Sequence, residues 1–207
     1  AILIDDANLT DIRTAIAGAI TSQALSNQDL ESLTIIGTGL QARYQAIHIS
    51  QLMKIDKVRV WGRDLEKAKQ LKEDLRDLDV NIEEDIEKLV KESGLIITTT
   101  SSKEPLIQSD WVKPGTHITA VGSDTPEKCE LDPNLLSVAD LVVADSLEQN
   151  LIRGEIYQAL KRSLINSDSI VELGEIFSGL KPGRKQKDFI TIADLTGVAV
   201  QDLVIAQ

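Results

Sequence analysis

Gly37, Gly39 and Ala42 stand in the order G-x-G-x-x-A within "LTIIGTGLQARYQ", directly after a β-branched apolar run and directly before a helical pattern. In that setting the first glycine permits a tight turn, the second lets a pyrophosphate approach the backbone, and the small third residue lets helix and strand pack closely. Leu40 and Gln41 fall inside the turn, where unpaired N–H groups at a helix start attract anions. The expectation is a dinucleotide site; the plainer reading is an ordinary strand-to-helix turn.

Other residues could complete such a site. About twenty residues on, the next strand ends "VWGRD", with Gly62 and Arg63 where a carboxylate would accept from the ribose 2′-OH of NAD, and Asp64 just beyond. A guanidinium there suits a 2′-phosphate, so the cofactor expectation is NAD(P), leaning to NADP, with a solvated surface charge as the bland alternative. "TTSSKEP", containing Thr100 and Ser101, offers hydroxyls for ribose or carboxamide, or is a turn. Asp124, in "VGSDTPEKCEL", is a candidate general base. It reads equally well as an N-cap, because D-T-P-E is a good helix start. Arg13 falls in the first turn of a predicted helix, where a cation opposes the macrodipole. That placement makes sense if a substrate carboxylate is held there, and otherwise describes a solvated arginine.

The elements that must position these residues alternate between short β-branched runs and longer amphipathic patterns, which predicts α/β with a parallel, doubly wound sheet. Strands are expected at 33–36, 57–61, 80–82, 95–99, 117–121, 141–144 and 189–194. Helices are expected at 41–53, 65–78, 86–91 and 154–163, with a turn-like stretch at 108–112. Ahead of them, Ile12, Ala15, Ile16, Ala19 and Ile20 recur at helical spacing with Thr10 as N-cap. Residues 1–6 read as a strand belonging to something upstream, so the chain reads as a fragment.

Composition narrows the partners. The 207 residues carry a formal net charge of −11, with lysines and arginines dispersed, which argues against nucleic acid and anionic membranes. No apolar run approaches a membrane span. The single cysteine, Cys129, reads as inert and suggests a reducing cytoplasm. His48 and His117 lack metal-ligand spacing, so no metal is expected.

"LTDIRTA", "IIGTGLQA", "VWGRDLEKA", "TTTSSKEPLI", "WVKPGTHITAVGSDTPEKCELD", "VADSLEQ", "LGEIFSG" and "DLTGVAVQDLVIA" together resemble the ornithine cyclodeaminase and mu-crystallin family, in order from about Leu9 to the end. The resemblance implies a Rossmann-type domain over 29–194, the end of a substrate domain and a connecting helix over 1–28, and a return segment over 195–207. It implies a homodimeric, NAD(P)-dependent enzyme acting on a small L-amino acid or its imine: ornithine cyclised to proline with loss of ammonia, or alanine dehydrogenation or ketimine reduction with net redox change. A nucleotide-binding protein without catalysis is the non-enzyme alternative. Carried over by residue, Arg13 and Thr196 touch substrate and Asp124 is the acid/base. Val121, Gly122, Ser123, Lys128 and Leu195 join Thr100 and Ser101 around the cofactor. Leu195-Thr196-Gly197 departs from the ornithine-cyclising members, which carry a serine and an apolar residue before that glycine. The family's substrate-domain lysine, its second arginine and its dimer interface belong to an N-terminal segment that the resemblance places outside this chain.

Overall fold

The computed structural model describes residues 8–205. Among them eight strands form one parallel sheet: β1 (Leu33–Ile36), β2 (Lys57–Trp61), β3 (Asp79–Ile82), β4 (Leu95–Thr98), β5 (His117–Ala120), β6 (Leu141–Ala144), β7 (Val171–Glu172) and β8 (Thr191–Asp194). Their order is β3-β2-β1-β4-β5-β8-β6-β7. The connections reverse direction across the sheet between β1 and β4, which makes the carboxyl end of β1 the switch point of a doubly wound sheet.

The central strands are apolar on both faces because helices cover both. Every residue of β1, β4, β5 and β8 is buried. Leu33 and Ile35 pack with Ala42, Ala46 and Ile49 of helix α2 (Leu40–Met53). Ile36, Ile96, Ile118 and Ile192 pack with Leu135, Leu136 and Ile156 on the opposite face. Fully buried side chains of this size contribute about 2 kcal/mol each, so the two layers supply most of the favourable free energy of folding.

α1 (Asn8–Leu25) is already helical at Asn8, so Thr10 lies within the helix and does not cap it. Its packing also differs from the periodicity. Ala15 and Ala19 are buried, but Ile16 and Ile20 are half-exposed. The reason is a close crossing on α2: a Cβ at Gly18 would lie 2.2 Å from Gln45 Oε1, and Gln45 Nε2 donates to Thr14 O. Small residues therefore form the contact face and turn the isoleucines outward. The expected strand over 1–6 lies outside the described residues.

The helix expected at 65–78 ends sooner, as α3 (Leu65–Asp74), because the chain must turn through Leu75 and Leu78 to enter β3. α4 (Ile86–Glu92) and α7 (Gly154–Lys161) follow the expected pattern. Five short elements escaped it: α5 (Pro133–Val138), α6 (Leu147–Asn150), α8 (Leu173–Phe177), α9 (Val200–Ile205) and the two-residue β7. Each is too short to show a period; α5 is held by local chemistry, the Asp132 carboxylate accepting from Asn134 N–H.

Candidate cofactor and substrate site

The glycine turn joins β1 to α2 at the switch point. Gly37 has φ +131°, and a Cβ on it would lie 2.4 Å from Thr99 Oγ1, so the turn crosses the end of β4 with room for hydrogen alone. Gly39 is different. Its φ is −86°, and nothing lies within 4 Å of where its Cβ would be. It is the N-cap of α2 with no side-chain cap, so N–H donors at the helix start are left without a side-chain acceptor. Ala42, fully buried, lets α2 lie close to the sheet. An uncapped helix start beside reserved space suits an anion such as a pyrophosphate.

Around the turn, the expected residues divide. Leu40 is exposed, whereas the Gln41 side chain turns to α1, donating to Asp11 O and Oδ1. A Cβ on Gly62 would meet Thr38 Cγ2 at 2.3 Å, which sets the end of β2 against the turn. Beyond it Arg63 is exposed, and the Asp64 carboxylate caps α3 by accepting from Glu66 and Lys67 N–H. Asp64 thus has a structural task, and Arg63 stands free of the helix.

At the ends of β4 and β5 two loops touch. A Cβ on Gly122 would lie 2.1 Å from Thr100 O. Thr100 is half-buried, Ser101 exposed, and Val121 and Ser123 buried. What joins the loops is Glu130. Its Oε1 accepts from Thr100 N–H at 2.5 Å, and its Oε2 from Thr98 Oγ1 at 2.8 Å and Gly122 N–H at 3.0 Å. Burial raises its pKa above the usual carboxylate range.

Behind it Glu155 accepts from Glu130 and Leu131 N–H, at 2.8 and 3.1 Å. Burial, reinforced by the Glu130 charge, pushes Glu155 up to about 8. Asp194, at the end of β8, accepts from Asn150 Nδ2 and Ile156 N–H, both at 2.8 Å. Its own burial and then Glu155 raise it well above the usual range. These acids were absent from the sequence reading because nothing local marks them. No cluster of described residues converges on a point where a metal could sit.

The segment after β8 closes the edge. Leu195 and Thr196 are buried, and Leu195 N–H donates to Ala120 O. Thr196 Oγ1 and Gly197 N–H both donate to Asp145, at 3.2 and 2.7 Å. Gly197 has φ +84°, with Arg13 Nη1 3.4 Å from the position of its missing Cβ. Arg13 is neither solvated nor in the first turn. It lies one turn further in, and its Nε donates to Asp202 Oδ1 at 2.9 Å while Nη1 donates to Gln201 Oε1 at 3.2 Å. The macrodipole argument therefore lapses; Asp202 and Gln201 of the facing helix α9 hold the guanidinium.

Asp124 caps nothing, because no helix follows it and the next one begins at Pro133. Its half-exposed carboxylate pairs with Lys128, with Nζ 2.5 Å from Oδ1. One edge of the sheet thus gathers the glycine turn, the Thr100 and Gly122 loops, Asp124 and Thr196, with Arg13 reaching it from α1. A wide groove lined by Asp29, Lys57, Arg59 and Glu92 lies at the opposite edge. There Arg59 is already paired with Glu92 at 2.7 Å.

Residues 1–207 match the model of the ornithine cyclodeaminase/mu-crystallin family. The chain belongs to that family. An uncharacterized cyclodeaminase of Sinorhizobium fredii is 42% identical over 210 residues, taking in 100% of this chain and 63% of that one. The structure of an archaeal alanine dehydrogenase dimer with bound NAD matches with TM-score 0.90 at 33% identity, over 97% of this chain and 63% of that one. Iminosuccinate reductase of Paracoccus denitrificans in complex with NAD+ matches with TM-score 0.89 at 35% identity, over 97% and 62%. The chain therefore spans less than two thirds of the length of these ornithine cyclodeaminase/mu-crystallin relatives.

In this member of the ornithine cyclodeaminase/mu-crystallin family the remaining reactive residue types are structural. Burial pushes the Cys129 thiol up to about 12, so it stays protonated. Burial, with Arg184 adding to it, lowers His117 to about 3. The neutral ring bridges Thr191 and Thr119 between β8 and β5.

Proposed function

We propose that this chain is the nucleotide-binding part of an NAD(P)-dependent enzyme that acts on a small L-amino acid or its imine. The observation that carries the reading is Gly39: an uncapped helix start with space reserved above it, at the switch point of a parallel sheet. Gly37, Gly39, Leu40, Gln41 and Ala42 would hold the pyrophosphate, Gln41 through its backbone because its side chain is engaged by Asp11. Thr100, Ser101, Val121, Gly122, Ser123, Lys128 and Leu195 would line the ribose and nicotinamide. Arg63, exposed just past the end of β2, would meet an adenosine 2′-phosphate, which supports NADP; the NAD-bound relatives make NAD the competing reading. When bound, the nicotinamide would exchange a hydride with the substrate Cα.

The chain's own residues would do the rest. Arg13 has five N–H donors; among the described residues Asp202 and Gln201 engage Nε and Nη1, which leaves the Nη2 pair for a substrate carboxylate. Thr196 would close the pocket opposite it. Asp124 would move the proton of the amine or of water, with Lys128 paired to its carboxylate. The leading reaction is of ornithine cyclodeaminase type, L-ornithine to L-proline plus ammonia with no net redox. Alanine dehydrogenation or imine reduction is the second reading, favoured by Leu195-Thr196-Gly197. The two are separated by whether NAD(P)H absorbance changes in step with product. The same reading divides the chain at residues 28 and 194 and makes the whole protein a homodimer, as the archaeal relative is.

In the full-length protein, Asp124→Asn should lower turnover by about 100-fold or more, with cofactor affinity unchanged. Undiminished turnover would remove Asp124 from the chemistry.

A further inference from the structure

Four acids run along the carboxyl edge of β4, β5, β8 and β6: Glu130, Glu155, Asp194 and Asp145. None of them has a salt bridge among the described residues, and each accepts from N–H or O–H donors of the fold. Asp194 keeps one buried oxygen, Oδ1, without a partner, whereas Glu130 and Asp145 at the two ends of the line use both oxygens. A buried carboxylate without a counter-ion opposes folding, so what those end acids accept from is informative.

Glu130 takes its donors from Thr98, Thr100 and Gly122, the two loops assigned above to the cofactor. Asp145 takes Ser146 N–H and Thr196 Oγ1 on Oδ1, and Gly197 N–H on Oδ2. The backbone of Gly197 is the surface against which the Arg13 guanidinium lies. Asp145 therefore sets the distance between the closing segment and the cation that would receive the substrate carboxylate.

We propose that Glu130 and Asp145 are positioning residues for different halves of the site: Glu130 for the Thr100 and Gly122 loops that hold the cofactor, and Asp145 for the Thr196–Gly197 segment that holds the substrate. The assignment of those halves rests on the function proposed above.

The acceptor geometry makes the two roles separable by near-isosteric change. An amide offers one acceptor oxygen in place of two. In Glu130→Gln the oxygen keeps Thr100 N–H, and the amide NH2 can face Thr98, whose hydroxyl accepts as well as donates. Gly122 N–H is then left without an acceptor. In Asp145→Asn either Gly197 N–H or Ser146 N–H must face an NH2 group.

The test uses the full-length protein and reads three quantities in each variant. These are the Kd for NADH and NADPH, kcat and KM for an L-amino acid that the unsubstituted protein turns over, and hydrogen exchange of peptides covering 98–102, 120–124 and 195–201. Asp145→Asn should raise KM roughly ten-fold or more, the effect of one buried N–H losing its acceptor, with cofactor Kd within about three-fold. Its exchange should accelerate in 195–201 alone. Glu130→Gln should raise cofactor Kd by a similar factor and accelerate exchange at 98–102 and 120–124, leaving 195–201 protected.

Should either variant fail to fold, Glu130→Asp and Thr196→Val replace it. The first keeps the charge but withdraws it from Gly122, and the second removes one Asp145 bond with the carboxylate intact. Parallel loss of both parameters in both variants would overturn the division, as would folded variants in which neither moves. If the unsubstituted protein turns over no amino acid, the catalytic reading falls, while the cofactor and exchange measurements still decide the positioning roles.

Discussion

The glycine turn after β1 and the acid-lined edge after β5 and β8 solve the same problem by opposite means. At β1 the backbone is brought close to its neighbours by removing side chains: Gly37 crosses Thr99, and Gly62 lies against Thr38. At β5 and β8 the loops are held by adding buried side chains, with Glu130, Asp194 and Asp145 each accepting donors from two or more segments. The first device leaves N–H donors facing open space, ready for a ligand. The second turns all but one of these carboxylate oxygens, Asp194 Oδ1, to donors of the fold itself, so its carboxylates are structural even though their burial resembles that of catalytic acids.

The sharpest break of this comparison is Gly122→Ala, at a glycine that joins both devices. Its Cβ would meet two Thr100 backbone atoms and Glu130 Oε1, so stability should fall by about 3 kcal/mol in urea unfolding. A small loss would mean the two loops are not in contact.

Gly39→Ala should act the other way. With an ordinary φ and no atom nearby, stability should change by less than about 0.5 kcal/mol, yet cofactor Kd should rise roughly 100-fold, the equivalent of about two charge-assisted hydrogen bonds. Calorimetric titration beside the unfolding curve checks both; unchanged affinity would make the turn an ordinary one.

The acid edge is sharpened by pH. Glu155 ionises near 8 when folded and near its ordinary 4.5 when unfolded, so the folded state holds the extra proton between those values. Its contribution is fully present below pH 4.5 and is lost as pH rises through about 8, at up to about 1.4 kcal/mol per pH unit. His117, lowered from 6.5 to about 3, acts oppositely, but only below 6.5. Between pH 6.5 and 8 unfolding free energy should therefore decline, and Glu155→Gln, though less stable overall, should show a flatter decline. An equal slope in the variant would place the titration elsewhere.

The smallest effect belongs to Arg63, which is exposed. Arg63→Ala should weaken NADPH relative to NADH by roughly ten-fold, as loss of a charge-assisted phosphate contact would. Equal affinities before and after substitution would make NAD the cofactor.

Much of the fold was legible because parallel strands are buried on both faces and read as uninterrupted β-branched runs, as β1, β4 and β6 do. The glycine turn was legible for a related reason: its demands on the backbone are met by residues two to five positions apart. Arg13 was legible as a residue out of keeping with its helix, but it lies beyond the first turn, and the contact that holds it was not legible. Its acid partner, Asp202, lies 189 positions away. Glu130 and Asp145 carried no local sign at all, for an acid in a loop has the same sequence context whether it faces water or three backbone donors.

Sequence by itself determined the alternation of strands and helices, the place of the glycine turn and the family, since each rests on neighbours along the chain. Tertiary structure alone decided which acids are buried, which glycines are crossed by another segment and which is left open, and what holds Arg13. Those outcomes depend on contacts between residues that the order β3-β2-β1-β4-β5-β8-β6-β7 brings together from distant parts of the chain. Burial then changes the chemistry of the groups it encloses.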